Sequence, residues 1–414
     1  MENENYITSD LNELLEKYLT QEDINEYIDA IASYFLPQQP LRLTKVESQL
    51  NKFFNENIQT KKIRLLSDTL ITFVSKKLSQ LEYIKFLLEF SKRVLAQGEN
   101  DLSFEITNIV YKAAEKEYEI YKAHALILLA EFYMGQALWK DALNSIRTAR
   151  VIYESDGNKN GVGKCEFLIG SIYVEQGDLK AGKVRLTNCL SLIDRETELL
   201  MVAQVEVHFG IIYCIEGNFQ AALKSYEKSI RIFEQLSDIR RAVEVLLNKA
   251  MIYRKLGKND FAVNIFNKCS DIARKNGLSH VLKLSFLNKA EIFLEKGELE
   301  VATQYSHKAV ELCYLLNDRL STAEVHKILG KIAMKRKNQS LAENHLLTSL
   351  RLNHELSQEL NAAETDYELG LLYKNVGKKS EALHHMMNAL QYYTKNNSKT
   401  IYMEIQSQVV SLNN

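Results

Sequence analysis

The chain has 414 residues, of which 46% are hydrophobic and 25% are charged, and its formal net charge is −1. This composition is typical of a folded protein and excludes an intrinsically disordered chain. A charge near zero provides no global field that would attract nucleic acid or an anionic membrane. We therefore expect partners of another class, with neither nucleic acid nor a membrane involved.

The first 121 residues are predicted to be helical but only weakly repetitive. Residues 1–80 are predicted as a helical N-terminal cap or small bundle, and residues 81–121 as a degenerate repeat. The only prolines are Pro37 and Pro40, and the absence of this helix breaker afterwards favours nearly continuous helix. The first ten residues lack the basic and apolar regions of a signal peptide. With five cysteines in no metal-ligand spacing, the sequence predicts a cytoplasmic protein with buried free thiols.

From residue 122 to residue 400, four columns of residues recur every forty positions. Each copy opens with a small residue, and a tyrosine usually follows three positions later, as in Gly210 and Tyr213. Further small residues stand twelve and nineteen positions after the first, as in Ala222 and Ser229. The opening small residues are Ala130, Gly170, Gly210, Ala250, Ala290, Gly330 and Gly370. Because antiparallel helices approach closely where small side chains meet, the columns predict seven two-helix repeats.

A glycine separates the two helices of most copies, for example Gly217 and Gly377. Glycine at a helix C-terminus tolerates the left-handed backbone that ends the helix. Lys337 occupies this place in the sixth copy, so the turn there is predicted to depart from the others. Residues 401–414 are predicted as a C-terminal capping helix.

Together these columns resemble the tetratricopeptide repeat, with a period of forty instead of about 34 residues. The longer period is similar to that of kinesin light chains and of bacterial Rap-type peptide receptors. The resemblance implies an all-α, right-handed superhelical solenoid of antiparallel two-helix repeats. It also implies a protein-interaction module without catalysis, which binds an extended peptide or partner segment on the concave face of the array.

Motifs for catalysis or for a cofactor are incomplete in this sequence. Gly163-Lys164 ends a stretch that lacks the first glycine of a phosphate loop and has Cys165 where serine or threonine would hold magnesium. The adjacent His384 and His385 would point about 100° apart on a helix and form no two-ligand face. We expect no catalytic residue, no metal and no cofactor.

Candidate ligand contacts stand on the first helix of the later copies, which lines the concave face in the related families. Asn248 and Asn288 stand two positions before the small residue and resemble the asparagines that hold the peptide backbone in those families. An amide can donate and accept at once, which suits an extended backbone. Met251 and Tyr367 are predicted to supply apolar contact.

The same helices carry a set of cations. Lys327, Lys331 and Lys335 share one face at four-residue spacing, Lys374 follows in the seventh copy, and Arg254 stands in the fourth. Such cations could attract the acidic groups of a partner. We predict Lys327, Arg254 and Lys374 to be unpaired and therefore free for this role.

An alternative is that ion pairs between neighbouring repeats, instead of a ligand, account for some of these cations. If residues forty apart face each other on neighbouring first helices, Glu295 would pair with Lys255 and Lys335, and Glu291 with Lys331. Exposed pairs of this kind contribute about 0–1 kcal/mol each. The sequence leaves the choice between ligand site and charge ladder open.

Two functions remain after these exclusions. The first is the peptide-binding interaction module. The second is a bacterial peptide-sensing receptor of the Rap type, whose N-terminal helices would contact a signalling partner. Oligomeric state and the identity of the partner are not determined by the sequence.

Overall fold

The computed structural model describes residues 11–35, 64–96, 99–114, 116–395 and 399–413. Within these ranges every regular element is a helix, which confirms the predicted all-α class of paired helices. The chain divides into two compact units, Met1–Met201 and Val202–Asn414. The predicted cap lies partly outside the described residues, and the boundaries at 80, 121 and 400 remain predictions.

The first unit begins with helices that share one apolar core. This core includes Leu14, Tyr27, Val74, Phe86 and Ile106, each at most 3% exposed. Paired helices of similar length follow. The helices are α1 (11–18), α2 (Gln21–Phe35), α3 (64–77), α4 (Gln80–Ala96), α5 (Asn100–Ala113), α6 (Glu119–Gly135), α7 (Trp139–Ser155), α8 (Lys159–Glu175) and α9 (Leu179–Leu192), with a 3-10 turn at Lys116–Tyr118.

The second unit is a regular succession of helices, most of them 17 residues long. They are α10 (Leu199–Ile215), α11 (Phe219–Gln235), α12 (Ile239–Lys255), α13 (Asn259–Lys275), α14 (Ser279–Glu295), α15 (Leu299–Leu315), α16 (Arg319–Lys335), α17 (Gln339–Glu355), α18 (Glu359–Val376), α19 (Lys379–Lys395) and α20 (Lys399–Asn413). Even-numbered helices α10 to α18 are the first helices of their copies.

The small-residue columns mark where the two helices of a copy touch. A Cβ added at Gly330 would lie 2.7 Å from Leu346 on the second helix, and one at Gly370 would lie 2.5 Å from Met386. In the first unit, a Cβ at Gly170 would contact Leu186, and a Cβ at Gly182 would contact Val174. Advancing from 170 to 174 on α8 thus corresponds to moving back from 186 to 182 on α9. Contacts that run in opposite directions along the two helices show that the pair is antiparallel. The predicted packing reason for the columns is confirmed.

Between α6 and α19, every turn between helices except the one joining α9 to α10 contains one residue with positive φ. Gly217 and Gly377 take φ values of 77° and 82°, and the predicted exception Lys337 takes the same left-handed conformation with φ 60°. The expectation of a different turn in the sixth copy was therefore wrong. The N–H of Asn338 bonds to the carbonyl of Ala333 at 2.9 Å, as in the other copies, and this bond ends the helix whether or not glycine is present.

Candidate functional site

A groove of about 610 Å³ lies within the second unit, along its first helices. Helix α12 contributes Arg254 alone, whereas α14, α16 and α18 each contribute several side chains at spacings of three or four residues, which place them on one helix face. Helices α19 and α20 close one end with Tyr393, Ile401 and Glu404. The other lining residues are Arg254, Glu291, Leu294, Glu295, Glu324, Lys327, Ile328, Lys331, Lys335, Glu364, Tyr367 and Glu368.

Arg254 joins α12 to α14. Its guanidinium pairs with Glu291 and, through Nη2, with Glu295 Oε1 at 2.9 Å. Burial opposes the charged guanidinium, but the two carboxylates outweigh it and raise the pKa of Arg254. Burial also opposes the charged form of Glu291 and raises its pKa, although Arg254 acts in the opposite direction. The pair is a fixed part of the groove wall.

Lys327 and Lys331 join α16 to α18 in the same way. Lys327 Nζ lies 2.6 Å from Glu364 Oε2 and 3.0 Å from Glu324 Oε2, and its side chain is only 10% exposed. Burial lowers the pKa of Lys327, yet the two glutamates dominate and hold it above its usual value. Lys331 Nζ lies 2.6 Å from Glu368 Oε1. Lys327 therefore remains charged at neutral pH, and both ammonium groups are paired.

Several ion pairs between neighbouring first helices join residues thirty-seven positions apart, not forty. The relation holds for Arg254 with Glu291 and for Lys327 with Glu364. Helical side chains lean toward the N-terminus of their helix. A long side chain therefore meets the next parallel helix almost one turn before the equivalent position.

The observed partners correct the predicted charge ladder. Glu295 pairs with Arg254, forty-one residues before it on the neighbouring first helix, and not with Lys255 or Lys335. Lys335 instead donates to the carbonyl of Leu294 at 2.8 Å. Lys331 pairs with Glu368, so it does not take the predicted partner Glu291. Ion pairing between first helices is present, but with other partners.

The three cations predicted to be unpaired all have partners. Arg254 and Lys327 carry the ion pairs above. Lys374 Nζ donates to Gln408 Oε1 and to Ser411 Oγ on α20, each at 2.7 Å. The prediction was wrong because acceptors on the next helix lie within reach of each long side chain.

The structure brings together four of the eight proposed contact residues, namely Arg254, Lys327, Lys331 and Tyr367. Asn288 lies just below them and is only 5% exposed. Its Nδ2 donates to Leu284 O at 2.9 Å and its Oδ1 accepts from Arg254 Nη1 at 3.3 Å. It therefore positions the arginine from beneath.

The remaining proposed contacts lie away from the groove lining. Asn248 is half-buried on α12, and Met251 on the same helix is 39% exposed. Lys374 fastens α20 to α18. For these residues a ligand role remains a prediction.

The residues that sequence reasoning missed are mainly carboxylates and one aromatic ring. Glu324, Glu364, Glu368 and Glu404 face the groove together with Tyr393. A search for cation–carboxylate pairs at thirty-seven residues would have found Glu364 and Glu368. Glu404 obeys the same spacing, since Tyr367 Oη donates to its Oε1 at 3.0 Å.

Other reactive groups are used in packing. Cys165, Cys189 and Cys269 are buried free thiols, and burial raises the pKa of each to about 12. This confirms the packing role predicted for cysteines in the small-residue column. Of the predicted surface histidines, His385 lies 2.6 Å from Asp366 Oδ1, while His384 is exposed.

Over the described part of the chain, no set of three or more His, Cys, Asp or Glu side chains is placed to bind a metal ion. No helix within it has the length and apolar character needed to cross a membrane.

Part of the chain matches the model of a known family. Residues 201–275 match the family model of the tetratricopeptide repeat. The Tonsoku-like protein of Drosophila melanogaster is 21% identical over 314 residues, which cover 64% of this chain and 22% of that protein. The chain thus spans about a fifth of the length of this relative.

Solved structures agree on the fold. The signal transduction ATPase with a tetratricopeptide repeat sensor from Pyrococcus horikoshii superposes with a TM-score of 0.60 at 13% identity, covering 82% of this chain and 54% of that one. A Rap protein complexed with competence and sporulation factor gives 0.50 at 19%, covering 90% and 99%. With its repeated helix pairs and the family match, the chain carries tetratricopeptide repeats.

Proposed function

We propose that this protein is an interaction module that holds a segment of a partner protein in the groove of its second unit. The observation that carries the proposal is the continuous cavity of about 610 Å³ lined by four successive first helices. Tetratricopeptide repeats support an interaction role, and a groove that runs across several helices suits an extended segment. No catalytic role is proposed.

The wall of the groove combines fixed charges with aromatic surface. Ion pairs between α12 and α14 and between α16 and α18 hold the charged side chains in place before a partner arrives. Preorganisation of this kind reduces the entropy lost on binding. Tyr367 and Ile328 supply apolar surface between the charges.

Selection of peptides from a displayed library on the purified full chain tests the proposal. Tyr367→Ala removes a half-buried ring of the groove lining. Tyr314→Ala is the control, because Tyr314 is 66% exposed on α15, outside the groove. Selected peptides should bind Tyr367→Ala at least tenfold more weakly and bind Tyr314→Ala as they bind the wild type. Peptides that bind all three proteins equally, or a library that yields no binder, would reject the groove as the site.

A peptide-sensing receptor is the second candidate. It differs from a simple interaction module because peptide binding would change its conformation. The Rap protein that covers 90% of this chain was solved with competence and sporulation factor. If this chain is such a sensor, a selected peptide should change the shape of the full chain. Small-angle X-ray scattering with and without peptide distinguishes the two, since an unchanged radius of gyration favours the simple interaction module.

A further inference from the structure

We infer that the partner segment is cationic and that its lysine or arginine side chains are taken up by carboxylates of the groove. The inference rests on the proposed function and assigns the chemistry of the partner. It reverses the acidic partner expected from the sequence, where the cations were considered without the carboxylates that reach them.

The lining carries more negative than positive charge. Its four cations are Arg254, Lys327, Lys331 and Lys335, and its six carboxylates are Glu291, Glu295, Glu324, Glu364, Glu368 and Glu404. Six negative charges against four positive ones leave a local charge of −2. The chain as a whole is nearly neutral at −1, so this surface is locally acidic.

The cations are already occupied. Arg254 and Lys327 are each shared by two carboxylates, and Lys331 has one. Lys335 donates to a backbone carbonyl on α14. An acidic partner would have to displace these carboxylates from buried or half-buried cations, and like charges would oppose its entry.

The carboxylates differ in how far they reach the solvent. Glu295 is 52% exposed and Glu364 is 41% exposed, whereas their counterparts Glu291 and Glu324 are 22% and 24% exposed. In each set one inner and one outer carboxylate share a single cation. The outer carboxylates are therefore only partly neutralised and can accept hydrogen bonds from an incoming ammonium or guanidinium group.

One aromatic ring adds to the attraction for cations. Tyr367 lines the groove and is half-buried, and aromatic faces attract cations. Burial is the main cause that raises the pKa of Tyr367, and Glu404 and Glu368 raise it further. The hydroxyl of Tyr367 therefore stays protonated at neutral pH.

The test uses peptides selected on the wild-type chain and a pair of charge variants. The double variant Glu295→Gln with Glu364→Gln removes the two outer charges and keeps the side-chain shape. Glu298→Gln with Glu311→Gln changes the net charge equally at exposed positions outside the groove. Thermal unfolding of both variants shows whether the chain remains folded.

Peptides whose binding depends on Tyr367 should be enriched in lysine and arginine. They should bind the Glu295→Gln, Glu364→Gln variant at least tenfold more weakly and should bind the control double variant with unchanged affinity. Raising sodium chloride from about 50 to about 500 mM should weaken binding to the wild type, because exposed charges are screened.

The other outcomes separate the two proposals. Peptides that depend on Tyr367 but are acidic or neutral would overturn the cationic partner and leave the groove function standing. Basic peptides that bind Tyr367→Ala and both double variants as they bind the wild type would overturn the groove function itself. The cationic-segment proposal would fall with it, since the proposed carboxylates would not be the receiving site.

Discussion

Glu166 on α8 and Arg185 on α9 form an ion pair in which Arg185 Nη1 lies 3.1 Å from Glu166 Oε1. The glutamate side chain is 2% exposed and also accepts from Arg150 Nη1 at 2.5 Å and Asn188 Nδ2 at 3.3 Å. One buried carboxylate thus ties the second helix of one copy to both helices of the next.

Replacing Glu166 with alanine should destabilise the first unit by about 1–3 kcal/mol. Removal of one partner leaves two arginines without their shared counter-charge, although both are about a third exposed and water relieves part of the cost. Urea unfolding followed by circular dichroism measures the loss. Glu154→Ala is the control, because Glu154 pairs with the same Arg150 at the surface and is 50% exposed; it should cost about 0.3–0.5 kcal/mol. Equal losses in the two variants would contradict the prediction.

Gly210 lies directly against the ring of Tyr226, and a Cβ at this position would overlap the ring. Gly210→Ala should therefore destabilise the second unit by about 1–2 kcal/mol, since overpacking outweighs the gain in helix propensity. Gly135→Ala is the matched control because a Cβ there meets nothing within 4 Å, and it should be neutral or slightly stabilising. Thermal unfolding compares them, and a stabilised Gly210→Ala protein would show that the contact is looser than described.

The histidine pair of the sixth copy should make stability depend on pH. His326 and His345 share a hydrogen bond between their Nδ1 atoms at 3.0 Å, and His326 Nε2 is buried without a hydrogen-bond partner in the described structure. Burial, with help from His345 and Arg351, lowers the pKa of His326 to about 4 from 6.5. Between these pH values the unfolded chain binds a proton that the folded chain excludes, so the free energy of unfolding should fall as the pH decreases from about 6.5 to about 4.

His326→Gln keeps a hydrogen-bonding group without the titration. Melting temperatures measured from pH 7 to pH 4 should fall less steeply for this variant than for the wild type. His384→Gln, an exposed position on α19, should follow the wild type. Parallel curves for all three proteins would exclude His326 as the source of the dependence.

Lys289 is a buried cation surrounded by neutral acceptors and other cations. It is 2% exposed, donates to Asn267 Oδ1 at 3.1 Å and lies 4.5 Å from the centre of the Tyr305 ring. Burial, together with Arg274 and Lys308, lowers its pKa to about 8 from 10.5, and Asp271 opposes this only weakly. The charged form therefore costs stability at neutral pH.

Lys289→Met should raise stability at pH 7 by about 1–3 kcal/mol, because an apolar side chain of similar length avoids the buried charge. In the wild type the free energy of unfolding should rise between pH 8 and pH 10.5, as the unfolded chain alone holds the proton. The variant should lose this part of the rise, as judged by denaturant titrations at several pH values. A destabilised variant with an unchanged pH profile would show that the charge is favourable.

The repeat was predictable because local packing repeats. Gly330 could be recognised as a point of close approach from its column alone, and a Cβ there would lie 2.7 Å from Leu346 on the second helix. The turn at Lys337 was mispredicted because non-glycine residues also take the left-handed backbone in this array, as Ser237 and Asn317 do.

A second regularity could not be recognised from the sequence, because the residues that form it differ from copy to copy. Glu166, His326 and Asp366 occupy one position of the repeat, and each meets a residue nineteen further on, namely Arg185, His345 and His385. The contact joins the same two positions in each of these copies, but the residue types that form it change. A column search for one residue type therefore misses it.

The sequence by itself determined the helical class, the forty-residue period and the identity of the packing residues, because small and aromatic side chains recur wherever two helices meet. Only the tertiary structure decided which charges are paired. Arg254 with Glu291 and Lys327 with Glu364 stand thirty-seven residues apart, since long side chains lean toward the N-terminus and meet the next helix almost a turn early. The two cations, predicted from the sequence to be free, are therefore paired in the structure, and the groove that they line contains more carboxylates than cations.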